Sequence, residues 1–215
     1  MIRKYYLTGI LLIAATLIAT AIAYPRLPEL VPVHWDMKGQ PNGYSPKWQL
    51  FLIVPGIMAG LMILFRFLPW LSPKRWEVDS FQSTCLYIML IILGMMACIQ
   101  IVTLWAGMGR HVDVSRAVLA VVSCLFAALG NVLGKVRRNF FIGVRTPWSL
   151  ASERVWNATH RLAAKTFVAA GLIGLVITAI GLYDWMTIAV LMTGALVPVI
   201  YSLVLYKQLE RAGEL

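Results

Sequence analysis

Charge is scarce in this sequence. Of its 215 residues only 13% are Asp, Glu, Lys or Arg, while 60% are hydrophobic; water-soluble domains carry roughly 25% charged residues. A soluble protein of this size could bury some of that apolar excess in a core, and the length of the apolar runs decides against it. Acidic residues are scarcest, nine against nineteen basic ones. Cysteine is nearly absent too. Cys85, Cys98 and Cys124 are odd in number, lack metal-ligand spacing and fall inside apolar runs, so neither a disulfide nor a metal site is expected. Also missing is any Asp, Glu, His or Lys in the middle of an apolar run. A pump or ion-coupled transporter normally keeps such a group in the membrane as a relay or binding residue.

What is present is length in the apolar runs. Six approach the roughly 20 residues of a bilayer crossing: Leu7 to Ala23, Leu50 to Leu71, Phe81 to Ala106, Ala117 to Leu133, Phe167 to Tyr183 and Trp185 to Tyr206. They do not alternate in polarity, which excludes barrel strands and leaves helices. The expectation is an all-α integral membrane protein, a six-transmembrane-helix bundle with a tight hairpin at Tyr183-Asp184-Trp185. Basic residues are retained on the cytoplasmic side. With Arg3 and Lys4 inside, fourteen of the nineteen fall on inner segments, including Arg66, Lys74, Arg75 and Lys135, and five (Arg26, Lys38, Lys47, Arg110 and Arg116) fall outside. Both termini are therefore expected in the cytoplasm of a bacterial cell, with the chain in its inner membrane. The basic excess suits an anionic lipid bilayer, and no nucleic-acid-binding motif accompanies it. Arg3, Lys4, the first run and Ala21-Ile22-Ala23 also fit a signal peptide, but the run is long for one. Its cleavage would leave the other five spans oriented as described.

Small and polar residues inside the spans point to packing. Gly56 and Gly60 form a GxxxG pair, and Ala170, Gly174, Thr178 and Gly181 share a face of the fifth span; such spacing lets helix backbones approach closely. Gln100 and Asn131 are expected to be buried in interhelical hydrogen bonds. Together with Thr178 they also define an alternative function, a small transporter or lipid-handling protein, and the small-residue faces define another, a structural membrane subunit.

Two connections are too rich in composition to be plain linkers. The outer one runs from Tyr24 to Trp48. Pro25, Pro28, Pro32, Pro41 and Pro46 deny helix while Gly39 and Asn42-Gly43 supply turns, so it should be extended and stiff. His34 and Asp36 flank Trp35. Two ligands are too few for a metal, and a hydrogen-bonded structural role is expected. Trp35, Tyr44 and Trp48 suit the headgroup level. The inner connection runs from Gly134 to Lys165. Ser149 is a candidate N-cap with Glu153 in the first turn, and the helix beyond should carry Trp156 and His160 on one face. It is expected to run through Val155, Trp156, Thr159, His160 and Ala163 into the fifth span, lying on the inner leaflet as an interfacial helix before that span, with its aromatics in the acyl boundary.

Both connections carry a resemblance. Pro28 to Gly43, reading PELVPVHWDMKGQPNG, resembles the signature P-x-x-V-P-x-H-(W/F)-(N/D)-x-x-G-x-P of a small bacterial membrane domain. Asn139 to Leu150, reading NFFIGVRTPWSL, followed by Val155-Trp156 and Thr159-His160, resembles the core of the SdpI family, with Ser149 where Thr is common. The resemblance implies two modules: residues 1–71, a two-helix unit with its outer loop, and 72–215, a four-helix SdpI-like unit with its inner loop. It implies a bacterial immunity protein that protects the cell from a secreted, membrane-disrupting toxin peptide and signals by holding a transcriptional repressor at the membrane. It implies no enzyme and no cofactor; the three histidines, His34, His111 and His160, are too scattered for a triad. Matched to the family motifs, the candidate toxin- or partner-binding residues are Asn139, Gly143, Arg145, Thr146, Pro147, Trp148, Trp156, Thr159 and His160 inside, and Pro32, His34, Gly39 and Pro41 outside.

Overall fold

The computed structural model describes residues 2–36, 39–73 and 81–215. Lys38, Lys74 and Arg75, three of the basic residues counted above, lie outside them. Six helices are long and apolar enough to cross a membrane. They are α1 (Ile2–Ala23), α2 (Ile53–Leu71), α3 (Gln82–Gly107), α4 (Val114–Leu133), α6 (Glu153–Ala179) and α7 (Asp184–Arg211), with a five-residue helix, α5 (Pro147–Ala151), before α6. The chain is a multi-pass membrane protein. Its surface agrees, since Leu11, Ile22, Ile63, Leu172, Val176 and Ile200 are exposed along these helices, as side chains facing hydrocarbon must be.

The helices pack as two sets joined through α3, which lies against α1 and α2 on one side and α4 on the other. The set α4, α6 and α7 is the tighter one, and small residues are the reason. A Cβ on Gly171 would stand 2.5 Å from the Ala127 backbone nitrogen and one on Gly130 2.6 Å from that of Val168, while one on Gly194 would stand 2.5 Å from the Ala170 Cβ. Backbones that close leave room for nothing larger, and dispersion contacts between them replace the hydrophobic drive that lipid removes. Thr166 adds a bond across the seam, its hydroxyl donating to the Gly194 carbonyl at 2.8 Å.

The structure corrects several expectations. Gly56 and Gly60 do not pack inside the bundle; a Cβ on either would meet open space. Gly181 is not on the small-residue face of the fifth span, because α6 stops at Ala179 and Gly181 turns the chain into α7. Asn131 is exposed on the bundle surface near the end of α4 rather than buried. Gln100 does sit where expected: 1% exposed, it donates to the Thr20 hydroxyl and the Leu50 carbonyl, both at 3.1 Å, and so ties α3 to α1 and to the approach of α2. The helix expected to run from this connection into the fifth span is present, but its Trp156–His160 face is buried in the bundle rather than in the acyl boundary. Its sequence forms the first turns of α6, which runs unbroken for 27 residues, because nothing between Glu153 and Ala179 interrupts the helical ladder. Ser149 is likewise not the N-cap: Thr146 caps α5 and Ser152 precedes α6.

The outer connection is more ordered than an extended loop. Strands β1 (Leu30–Trp35) and β2 (Pro41–Pro46) pair antiparallel, with register shifts around His34. Five prolines allow this because β2 begins and ends on proline and each strand has only one partner, so missing N–H groups cost little. Val31 is fully buried against Gly107 of α3, which seats the hairpin on the bundle.

Candidate functional site

The inner connection folds around one asparagine. Asn139 is fully buried, and its side chain replaces a turn's worth of backbone partners. The Oδ1 accepts from the Phe141 and Ile142 N–H groups, both at 2.7 Å, while the Nδ2 donates to the Arg137 and Ile142 carbonyls at 2.8 and 2.9 Å. All the hydrogen-bonding capacity of the amide carbonyl and both N–H bonds are used, which is what burial of a primary amide requires. Arg145 is exposed; its guanidinium donates to the Phe140 carbonyl and lies 6.0 Å from the Phe140 ring centre.

Next in sequence comes the contact between loop and helix. Gly143 has φ 113°, and a Cβ there would sit 2.2 Å from the His160 Nε2. Only glycine combines that backbone with that proximity. The close approach lets the Val144 N–H donate to His160 Nε2 at 3.0 Å, while His160 Nδ1 stands 2.9 Å from the Trp156 carbonyl one turn back. A carbonyl can only accept, so Nδ1 carries the proton and Nε2 is the acceptor; the ring is neutral and its tautomer is set by its two partners. Trp156, fully buried, stacks on the same ring with centroids 4.0 Å apart and donates its Nε1–H to the Val136 carbonyl at 2.9 Å. One helical face of α6 thus grips both ends of the connection.

The remaining residues dock α5. Thr146 caps it in a capping box: the Ser149 N–H donates to the Thr146 hydroxyl at 3.0 Å and the Thr146 N–H to the Ser149 hydroxyl at 2.9 Å, with Pro147 following at the first helical position. The Thr146 hydroxyl also pairs at 2.9 Å with Ser202 of α7, which is fully buried. Thr159 is fully buried, and among the described residues its hydroxyl has no hydrogen-bond partner. Trp148 is half-buried. Of the inner candidates, Asn139, Thr146, Trp156, Thr159 and His160 are therefore buried, with Gly143 and Arg145 exposed beside them. Sequence reasoning missed Ser202 and the reach of Ser149; the one signal for Ser202 was a hydroxyl standing in an apolar span.

The outer candidates belong to the opposite end of the bundle. Pro32 faces Tyr44 and Pro41 faces Trp35 across the hairpin. The His34 Nδ1 pairs with the Asn42 side-chain oxygen, and Asp36 accepts from the Gln40 N–H at 2.9 Å. Gly39, at φ 74°, closes the turn with its N–H on the Asp36 carbonyl at 3.0 Å. His34 and Asp36 are thus each bonded within the hairpin rather than to one another, and among the described residues no three His, Cys, Asp or Glu side chains gather as a metal set. The polar residues that would line a transport path do not form one. Gln100 is held as above, Asn131 is on the surface, and Thr178 pairs with Thr187 at 3.2 Å.

Two family models match separate parts of the chain. Residues 11–59 match a domain of unknown function, DUF1648, and residues 135–202 match the SdpI/YfhL protein family. The chain is 29% identical over 171 residues to the Immunity protein SdpI of Bacillus subtilis (strain 168), covering 79% of each chain. No solved structure matches it.

Proposed function

We propose, for a chain whose residues 135–202 belong to the SdpI/YfhL protein family, the role of a bacterial membrane immunity protein. It protects the cell from a membrane-active toxin peptide. The observation that carries this reading is the extent of the likeness to Immunity protein SdpI, which is longer than either family-matched segment. The side-chain chemistry agrees. The buried polar groups of Asn139, Thr146, Ser149, Trp156 and His160 are engaged in holding the shape of the inner connection. Such a site binds or presents a surface.

The finer part of the reading is signalling. The end of the bundle with Arg137, Arg145 and Arg154 exposed is the cytoplasmic one by the bias of basic residues. It lies against anionic lipid and presents a rigid surface to a transcriptional repressor held at the membrane. The inner membrane of a bacterium is the location that this requires.

Survival tests the reading. The chain is expressed in a strain sensitive to the family's toxin peptide, beside Arg145→Ala at matched membrane abundance. Protection by the wild type and loss in the variant supports immunity with the inner connection as part of it. Equal protection by both places immunity elsewhere in the chain. No protection at matched abundance overturns immunity to that peptide.

A further inference from the structure

The seam between α4 and α6 has two sides, and they differ in chemistry. A Cβ on Gly130 would stand 2.9 Å from the Ala164 carbonyl oxygen, and one on Gly134 3.7 Å from the Ala164 Cβ. The helices run antiparallel there, since Gly130 meets Val168 while Ala127, earlier on α4, meets Gly171, later on α6. In an antiparallel pair of right-handed helices, the residues that follow the contact on each helix turn by about 100° to the same side of the seam. The residues that precede it turn to the opposite side. For this seam the preceding side faces α3: Leu129 and Ala163 pack into one cluster with Cys85 and Ile88. Leu68 and Phe81, at the two ends of the connection from α2 to α3, belong to that cluster as well.

The following side carries Asn131 and Lys135 from α4 and its closing turn, and Arg161 and Lys165 from α6, all four exposed. Among the described residues no carboxylate pairs with these three cations. Glu210 and Glu214 are taken by Lys207 and Arg154, and Glu153 stands eight residues before Arg161. At about 1.5 Å per residue the four lie roughly 20–30 Å from the far ends of their helices. A hydrocarbon core is about 30 Å thick, so they stand where acyl chains give way to headgroups. On the same face of α6 the next turns expose Ala169, Leu172 and Val176. Three cations and an amide suit a ligand with more than one negative charge, and the apolar strip beyond them suits acyl chains. We infer that this side of the α4–α6 seam is a binding site for a phospholipid with a dianionic headgroup. Lys135, Arg161 and Lys165 hold its phosphate oxygens, the Asn131 amide donates to one of them, and an acyl chain lies along Ala169, Leu172 and Val176. The inference stands apart from the immunity reading.

The test is lipid retention by the full chain purified in a neutral detergent, read by native mass spectrometry. Cardiolipin, phosphatidylglycerol and phosphatidylcholine are titrated separately at one ionic strength. The first carries two phosphates, the second one, and the third has no net charge. Lys135→Gln/Lys165→Gln removes two charges from the seam. Arg3→Gln/Lys4→Gln removes two from the exposed start of α1 and serves as the control. The expected result is preferential binding of cardiolipin, weakened about tenfold by the seam pair and unchanged by the control pair. Asn131→Leu alters no charge and should weaken it about threefold. Equal binding of cardiolipin and phosphatidylcholine would overturn the inference. So would equal weakening by the two pairs, which is attraction to net charge rather than to a site, and so would cardiolipin binding that neither the seam pair nor Asn131→Leu alters.

Discussion

The hairpin connection, with five prolines, and the inner connection, with one, both mix turn glycines, aromatics and basic residues, yet they are held in opposite ways. Backbone pairing between β1 and β2 shapes the outer one, which leaves several of its side chains for the surface: Tyr44 and Trp48 are exposed, and His34 bonds to Asn42 across the hairpin. In the inner one the described residues between α4 and α5 form no strand or helix, and side chains supply the partners that backbone lacks. Asn139, Ser149 and His160 are buried for that purpose. A loop built on backbone tolerates change in its side chains, and a loop built on side chains does not.

Substitution at the two ends tests this contrast. Trp156→Ala should do most damage, since it empties a fully buried site, removes the bond to the Val136 carbonyl and frees the His160 ring; the cost is about 3–5 kcal/mol. A thermal unfolding scan in detergent should show it as the largest fall in midpoint. Gly143→Ala comes next. The methyl group must displace His160 and the backbone must hold a positive φ, a penalty of about 1–3 kcal/mol. Hydrogen exchange should show the Val144 amide losing protection while amides of α3 keep theirs. His34→Ala at the hairpin should cost least, below about 1 kcal/mol, because it breaks one exposed side-chain bond. If His34→Ala proves as damaging as Gly143→Ala, the contrast fails.

The two sets of glycines carry a related lesson. Gly56 and Gly60 have the spacing of a packing motif and meet nothing, whereas Gly130, Gly171 and Gly194, on three different helices, make the closest backbone contacts. Spacing along one helix identifies a smooth face. It does not identify which helix will lie against it, because that depends on matching small residues from segments distant in sequence. The same limit explains why the aromatic face of the helix leading into the fifth span is buried in protein rather than in lipid. Trp156 and His160 on one face fit an inner leaflet as well as a protein interior, and the choice was made by Val136, Gly143 and Val144 arriving on that face from the preceding connection.

Local sums were legible in the amino-acid order alone. Six apolar runs of bilayer length, interrupted by charged or turn residues, determine a six-helix membrane protein, because hydrocarbon demands internal backbone hydrogen bonds from every crossing segment. The family motifs at Pro28 to Gly43 and Asn139 to His160 were likewise open to reading. Tertiary structure alone decided the pairings: Val144 with His160, Thr146 with Ser202 across 56 residues, and Gln100 with Thr20 across 80. Hydropathy adds up residue by residue and needs no partner. A hydrogen bond needs a specific one, and which groups meet is settled only when the helices have packed.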